Sequence, residues 1–472
     1  MPPASRRSLW ALTNAAGAPP RWLGDDICRV ALDDLRHGSC LEAPPETLRR
    51  GVVAIVARRQ LAAALAAIEL DGIARRILLC PPDLAAAHFP AVLAEAEVDA
   101  VVADAACPWL DAAPRLPLVA CRGEITRRPD ATPDRDTDTE WVLFTSGTAG
   151  RPKMAVHSLQ SLTAPLAEAP SGGSSGAVWS SFYDIRRYGG LQILLRALIG
   201  GGSMVLSSAC EALADFLARA GAAGVTHISG TPSHWRRVLM SPVADRISPA
   251  YLRLSGEIAD QAILDRLRRR YPAASIAHAF ASTEAGVAFD VRDGLAGFPA
   301  TFLARPDAVP DAASGAGVEM RVEADTLRIR SPRTASRYLG ESAGGLRDQD
   351  GFVDTGDMVT HRGERCYFMG RQEGVINVGG LKVCPEEVEA VINQHPDVRM
   401  ARAWARRSPI VGAIVAADIV IGTGDDASFE TIRDTVLDTC RRLLPAHKVP
   451  VTLRRVASLP VTASGKLVRR HA

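Results

Sequence analysis

Of the 55 lysine and arginine side chains in this 472-residue sequence only four are lysines, Lys153, Lys382, Lys448 and Lys466. A generic solvated cation can be either residue, whereas a compact ammonium on a flexible stem suits a place where one developing charge must be reached. Lys153 closes the run Thr145-Ser146-Gly147-Thr148-Ala149-Gly150-Arg151-Pro152-Lys153, and Lys466 follows Ser464-Gly465 near the C-terminus. Hydroxyls and glycine backbone N–H groups can wrap a phosphate chain, with the lysine at its end. The first run lacks the Gly-x-x-x-x-Gly-Lys-Ser/Thr order of the Walker loop, so any triphosphate here is held differently. A mobile lysine on a separate, smaller domain reaches a site on the larger one only when the two close. A cation arriving on closure can favour a charged transition state over free substrate. The alternative for Lys466 is a basic tail, and for the first run a polar surface turn.

Three further segments carry chemistry-bearing side chains. His278-Ala-Phe-Ala-Ser-Thr-Glu284 follows an apparent strand at 275–277, placing Thr283 and Glu284 where open α/β sheets bind ligands. Glu284 suits magnesium, which takes carboxylate and phosphate oxygens together, although a capped helix start reads the same way. Phe352-Val-Asp-Thr-Gly-Asp357 has the composition of a tight turn, and Asp357 can accept hydrogen bonds from both hydroxyls of a ribose. Residues 370–389 hold two glycine pairs around a short apolar strand, then a helix opened by Pro385, suggesting a hinge and a narrow passage.

The elements that must position these groups follow from the pattern of apolar residues. From Gly51, β-branched runs at 52–56, 77–80 and 101–102 alternate with amphipathic stretches at 58–70 and 83–96, which predicts βα units and a largely parallel sheet. Residues 122–140, rich in charge, Pro and Asp, read as a surface connection into a strand at 141–144. Residues 264–270 read as about two turns of helix stopping before Pro272. The period shifts toward two around 318–330, suggesting an antiparallel hairpin. After Gly374 the pattern changes to a helix at 385–394, strands at 401–405 and 411–420, and a helix at 429–444, a small α+β domain. The fold class is therefore α/β, with a large N-terminal domain of residues 1–372 and a small mobile α+β domain of residues 373–472.

Composition bounds the function. A net charge of +2 removes the electrostatic case for a nucleic-acid binder. Nine scattered cysteines without Cys-x-x-Cys spacing argue against a disulfide frame or structural zinc and fit a reducing cytoplasm. No signal peptide or membrane span is expected, since the longest apolar run, 410–421, is interrupted by Asp418.

Taken in order and spacing, these segments resemble the adenylate-forming superfamily of acyl- and aryl-CoA synthetases, peptide-synthetase adenylation domains and luciferases, from about residue 50 to the end. The resemblance implies a large domain of stacked α/β subdomains and a small domain that rotates between two half-reactions. It implies ATP and Mg2+ as cofactors, with Thr145, Ser146, Gly147, Thr148, Gly150 and Lys153 at the phosphates, and His278, Phe280 and Thr283 around the nucleotide. Glu284 and Thr148 would hold the metal. Asp357 and Arg371 would hold the ribose, Glu373 would be the hinge, and Lys466, Glu284 and Lys153 the catalytic charges. Gly379 and Gly380 would line the path of a pantetheine arm. Phe280-Ala281 departs from the family's usual Tyr-Gly, and Glu373 stands where Asp or Lys is usual.

The implied activity is conversion of a small carboxylic acid to an acyl-adenylate, with transfer to the thiol of coenzyme A or a carrier-protein phosphopantetheine. An acyl carrier protein is thus a possible partner. Phe182, Tyr183, Asp184, Tyr188 and Trp235 supply aromatic walls and polar tips that suit a flat aryl acid such as a hydroxybenzoate. A medium acyl chain, or an amino acid whose α-amino group meets Asp184, remains open, as does a core role for the aromatics. A non-catalytic nucleotide-binding homologue is the competing class, disfavoured because the charges the chemistry needs are retained. A kinase reading fails for want of its loop and base motifs.

Overall fold

The computed structural model describes residues 8–13, 20–104, 116–128, 134–145, 151–167, 176–303, 317–340, 345–409, 412–422, 426–462 and 464–469. The β-branched runs become the centre of an eight-stranded sheet, in which Val52–Ile55 pairs in parallel with Arg76–Leu79 and with Ala100–Ala103. Every residue of these three strands is buried, as expected of parallel strands covered on both faces. Glu140–Phe144 extends the sheet beside Arg76–Leu79, and Met154–Ser158 returns antiparallel to it. The Ala- and Leu-rich helix Gln60–Leu70 is buried along its whole length. Its Leu61, Leu65 and Ile68 share one core with Leu191 and Leu194 of the helix Tyr188–Ile199 and with Met204 of a second sheet. Such an all-round apolar helix belongs between two layers, with no solvent-facing side.

The second sheet also has eight strands. Val178–Ser181, His227–Gly230, Tyr251–Ser255 and Ser275–Ser282 run in parallel register, and Gly286–Val291 returns antiparallel along its edge. Near the other edge, Trp22–Gly24 from the start of the chain pairs in parallel with Ser203–Leu206. Helix Gln261–Arg270 lies between two of these strands, starting three residues earlier than its apolar pattern suggests. Asp260 caps it, its carboxylate accepting from Ile263 N at 2.9 Å.

Two expectations are corrected. Residues 122–140 are not wholly a connection: Leu118–Arg127 is a strand with Val119, Cys121 and Gly123 turned inward and Arg122 and Glu124 outward. Its outward charges hide the period of two. The turn-like stretch 352–357 lies mostly inside the strand Val353–Arg362, where Gly356 takes φ +67° and the ladder to Thr326–Arg330 shifts register. A left-handed glycine within an irregular ladder has turn composition without reversing the chain. That strand, its partner Arg365–Arg371 and the expected hairpin Glu319–Glu323 and Thr326–Arg330 form a third, antiparallel sheet.

The short turn Gln372–Gly374 leads to the hairpin Ile376–Val378 and Leu381–Val383. Helices Pro385–Ile392 and Asp426–Leu443 then share a core with the strands Val398–Ser408, Gly412–Ile421 and Thr452–Arg455. The architecture is a large N-terminal domain of α/β layers and a small C-terminal α+β domain. No helix among the described residues is long and apolar enough to cross a membrane.

Candidate functional site

The parallel strands of both large sheets deliver their C-terminal ends to one cleft of about 1730 Å³, which the small domain closes from the other side. Thr145 follows Glu140–Phe144, Gly256 and Glu257 follow Tyr251–Ser255, and Thr283 and Glu284 follow Ser275–Ser282; all line it. Ligand sites form at such strand ends because loop backbone and side chains converge there.

Thr145 N donates to Lys153 O at 3.0 Å, closing the base of the loop between them. Ser146, Gly147, Thr148 and Gly150 lie outside the described residues. Lys153 Nζ stands 5.1 Å from the ring centroid of Tyr338. The Tyr338 hydroxyl donates to Glu284 Oε1 at 3.2 Å, so one tyrosine touches both the Lys153 ammonium and the Glu284 carboxylate. Burial, and next the Glu284 charge, pushes that phenol above its ordinary range, which keeps it a donor. Beneath Glu284, the buried His157 donates from Nε2 to Thr283 O at 2.8 Å, and burial pulls its pKa down to about 4. It is therefore a neutral prop for the Thr-Glu turn.

Asp357 and Arg371 face each other across the ladder of Val353–Arg362 and Arg365–Arg371. Arg371 Nη2 donates to Thr355 O at 2.8 Å, and its Nε lies 3.8 Å from Asp357 Oδ1. Burial raises the Asp357 carboxyl to about 6, opposed by Arg371 and Lys466 and reinforced by Glu284. Phe280 stacks on Phe368 with centroids 4.9 Å apart and planes 13° apart, so one ring face is already covered. His278 donates from Nε2 to Leu295 O at 2.9 Å and is held below its ordinary range by burial. Glu373 lines the same cleft.

Lys466 enters this cleft from the small domain. The lysine faces the solvent of the cleft but is walled by protein, and this desolvation, partly offset by Glu257, lowers its pKa. Thus Lys153, Glu284, Asp357, Arg371 and Lys466, far apart in sequence, surround one space. A lone carboxylate such as Glu284, beside room for phosphate oxygens, is a donor set that suits Mg2+.

The remaining sequence candidates lie elsewhere. Trp235 is fully buried, Tyr188 nearly so, and both belong to cores. Tyr183 Oη donates to Ser255 O at 2.8 Å, while Tyr188 Oη accepts from Val287 N at 3.1 Å. Phe182 stacks on His234 at 5.1 Å. Asp184 is bound to Arg186, accepting from its Nε at 2.7 Å and from its backbone N at 2.9 Å. None of these five lines the cleft. Gly379 and Gly380, at φ +58° and +90°, form the tip of the hairpin Ile376–Val378 and Leu381–Val383 and also stand apart from the cleft lining. Tyr338, Glu257 and the capping role of Thr231 go unread in the sequence. Ser255-Gly256-Glu257, a glycine and a carboxylate at the end of a parallel strand, is the signal for one of them.

The chain belongs to the family of AMP-binding enzymes: residues 48–335 match that family, and residues 387–466 match the AMP-binding enzyme C-terminal domain. It is 25% identical over 365 residues to 4-coumarate-CoA ligase 3 of Arabidopsis thaliana, covering 71% of this chain and 62% of that relative. It is 27% identical over 379 residues to the fatty acid-[acyl-carrier-protein] ligase MmaC of Mycobacterium marinum, covering 73% and 70%. Its fold is that of the anthranilate CoA ligase AuaEII, solved in complex with anthranoyl-AMP, with a TM-score of 0.77 at 16% identity over 98% of this chain and 95% of that one.

Proposed function

We propose that this protein joins a small carboxylic acid to the α-phosphate of ATP and passes the acyl group to a pantetheine thiol. The observation that carries the reading is Lys466, brought by the small domain into a cleft already lined by Lys153, Glu284, Asp357 and Arg371. In the first step a carboxylate oxygen forms a bond to the α-phosphorus as the bond to the bridging oxygen breaks, and pyrophosphate leaves with that electron pair. Two anions must meet, so Lys466 and Lys153 act by offsetting charge that builds on the phosphate. Asp357 and Arg371 orient the ribose, and Mg2+ held by Glu284 supplies charge to the phosphate oxygens when bound. In the second step the thiol sulfur attacks the acyl carbon, AMP leaves, and the thiol proton passes to solvent. Coenzyme A or a carrier-protein phosphopantetheine is the acceptor, and Gly379 and Gly380, apart from the cleft in the arrangement described, would line its path once the small domain turns. Glu373 is the hinge, the domains meet at residues 372 and 373, and the reaction runs in the cytoplasm.

A small aryl acid such as a hydroxybenzoate is the favoured substrate. Asp184, held by Arg186, leaves no free carboxylate at that position for an α-amino group. Tyr183 and Tyr188, each tied to backbone in the core, do not line the cleft; anthranoyl-AMP in the AuaEII structure and the name of 4-coumarate-CoA ligase 3 support an aromatic acid over a chain. Carboxylate-dependent ATP–pyrophosphate exchange across aryl, alkyl and amino acids tests this. Exchange with hydroxybenzoates, lost by about two orders of magnitude or more in Lys466→Ala, is expected. No exchange with any acid, while ATP still binds, would overturn it.

A further inference from the structure

The loop carrying Lys466 is fastened to the large domain on both sides of the lysine. Before it, Thr231 Oγ1 donates to Gly465 O at 2.9 Å; after it, Leu467 N donates to Glu257 Oε1 at 2.8 Å. The two anchors converge at one helix start. Thr231 caps helix Pro232–Met240 by accepting from His234 N, and Glu257 Oε2 accepts from Ser233 N at 2.9 Å. The fit leaves no slack: Gly465 has φ +72°, and a Cβ there would lie 1.8 Å from His234 Cε1. Gly256, at φ +83°, lets the stem of Lys466 run along the backbone, with Cε 3.3 Å from where a Cβ would be. The loop is also braced internally, by Gly465 N to Thr462 O at 2.8 Å and Lys466 N to Thr462 Oγ1 at 3.2 Å. On the small domain, Arg469 donates to both oxygens of Glu389 at 2.8 and 2.9 Å, so the tail moves with the helix Pro385–Ile392.

We infer that Glu257 and Thr231 form a latch that selects the domain arrangement with Lys466 in the cleft, making them positioning residues for the first half-reaction alone. The inference rests on the adenylation reading above. Each latch group keeps a second partner within the large domain, Ser233 N for Glu257 and His234 N for Thr231. When the small domain turns away, no buried acceptor is left unpaired on the large domain, and the freed Gly465 carbonyl and Leu467 amide meet water. The latch therefore releases without stranding polar groups, the usual cost of breaking a buried contact. Holding Lys466 by its neighbours, with no hydrogen bond to the ammonium among the described residues, leaves Nζ available to substrate.

The test compares Glu257→Ala, Thr231→Val and Thr231→Ser with the unmodified protein by two readouts. Hydrogen exchange of the segment containing Leu467 reports the latch with no substrate present. Hydroxybenzoate-dependent ATP–pyrophosphate exchange, set against transfer from a synthetic hydroxybenzoyl-adenylate to coenzyme A, separates the half-reactions. Glu257→Ala should speed exchange at Leu467 and lower adenylation by about 10- to 100-fold, the worth of a hydrogen bond to a charged group, while leaving thiol transfer within about twofold. Thr231→Val should lower adenylation selectively too, and Thr231→Ser, which keeps both cap and donor, should restore it. Unchanged Leu467 exchange in Glu257→Ala overturns the latch, as does an equal loss of both half-reactions, the mark of a folding defect. Failure of the unmodified protein to adenylate any acid of the panel overturns the adenylation reading instead.

Discussion

Nucleotide binding should titrate through Asp357 near pH 6. An ordinary aspartate is ionised at any pH above about 5, but burial raises this carboxyl to about 6 in the empty cleft. If its two oxygens accept from the ribose hydroxyls, only the ionised form binds well. Protonation at a pKa of about 6 then weakens binding about tenfold between about pH 7 and about pH 5, whereas an unshifted carboxyl would weaken it by less than about a tenth. The ligand should be adenosine and not AMP, because a phosphate monoester itself titrates near pH 6. Calorimetric titration across that range is the assay, with Asp357→Asn as the control. The control matters because Glu386, also in the cleft and raised to about 7, titrates nearby. A flat profile in the unmodified protein, or the same slope in Asp357→Asn, would refute the reasoning. The same shift has a sign for stability: a carboxyl whose pKa rises on folding favours the folded state at low pH and loses that advantage as pH climbs through 6. Asp357→Asn should therefore stabilise the ligand-free protein near pH 7, by at most about 3 kcal/mol, readable as a higher melting temperature.

Two further outcomes concern the scaffold. Trp235→Ala, which empties a fully buried site, should cost about 3–5 kcal/mol, seen in denaturant unfolding. His157 is held neutral with a pKa of about 4, so the unfolded chain binds its proton first as pH falls from about 6.5. Its contribution is present above that pH and lost on acidification, by up to about 3 kcal/mol. Because Asp357 acts in the opposite direction, the quantity to compare is the difference in pH dependence between the unmodified protein and His157→Gln. Equal dependence would show that His157 does not titrate on unfolding.

Much of the framework was legible because burial leaves a plain pattern. The runs at 52–56 and 77–80 read as strands since covered parallel strands are apolar throughout; the stretch at 58–70, which reads as amphipathic, is instead a helix buried on every side, because alanine and leucine leave it without a polar face. Lys153, Glu284 and Asp357 were legible as candidates because each sits in or beside a glycine- and hydroxyl-bearing segment, and the fold brings all three to one cleft. Tyr338 and Glu257 were not, since a tyrosine and a glutamate have many uses and only the fold brings them to the site. The aromatics at 182–188 and 235 show the reverse ambiguity. An aromatic ring suits a binding wall and a core equally, and sequence spacing does not say which way the ring turns. The strand at 118–127 was hidden by outward charges that carry no information about the inward face.

The pairing of Trp22–Gly24 with Ser203–Leu206 bears on how the chain is made. About 180 residues separate the two strands, so during synthesis the first, paired on one side with Arg29–Ala31, must wait for the second. Most of the first sheet closes among nearer neighbours and can form earlier, its edge strand Arg337–Leu339 joining Met154–Ser158 late; in the second, Ser203–Leu206 is covered on its outer side only when the chain returns to its own beginning. Until then Ser203–Leu206, buried on every residue in the finished fold, presents an open apolar edge of the kind that pairs with other chains. Removing residues 1–31 makes that condition permanent. The shortened protein should self-associate during refolding at concentrations where the full chain stays monodisperse by light scattering, and equal behaviour of the two would show that the edge is protected by something else.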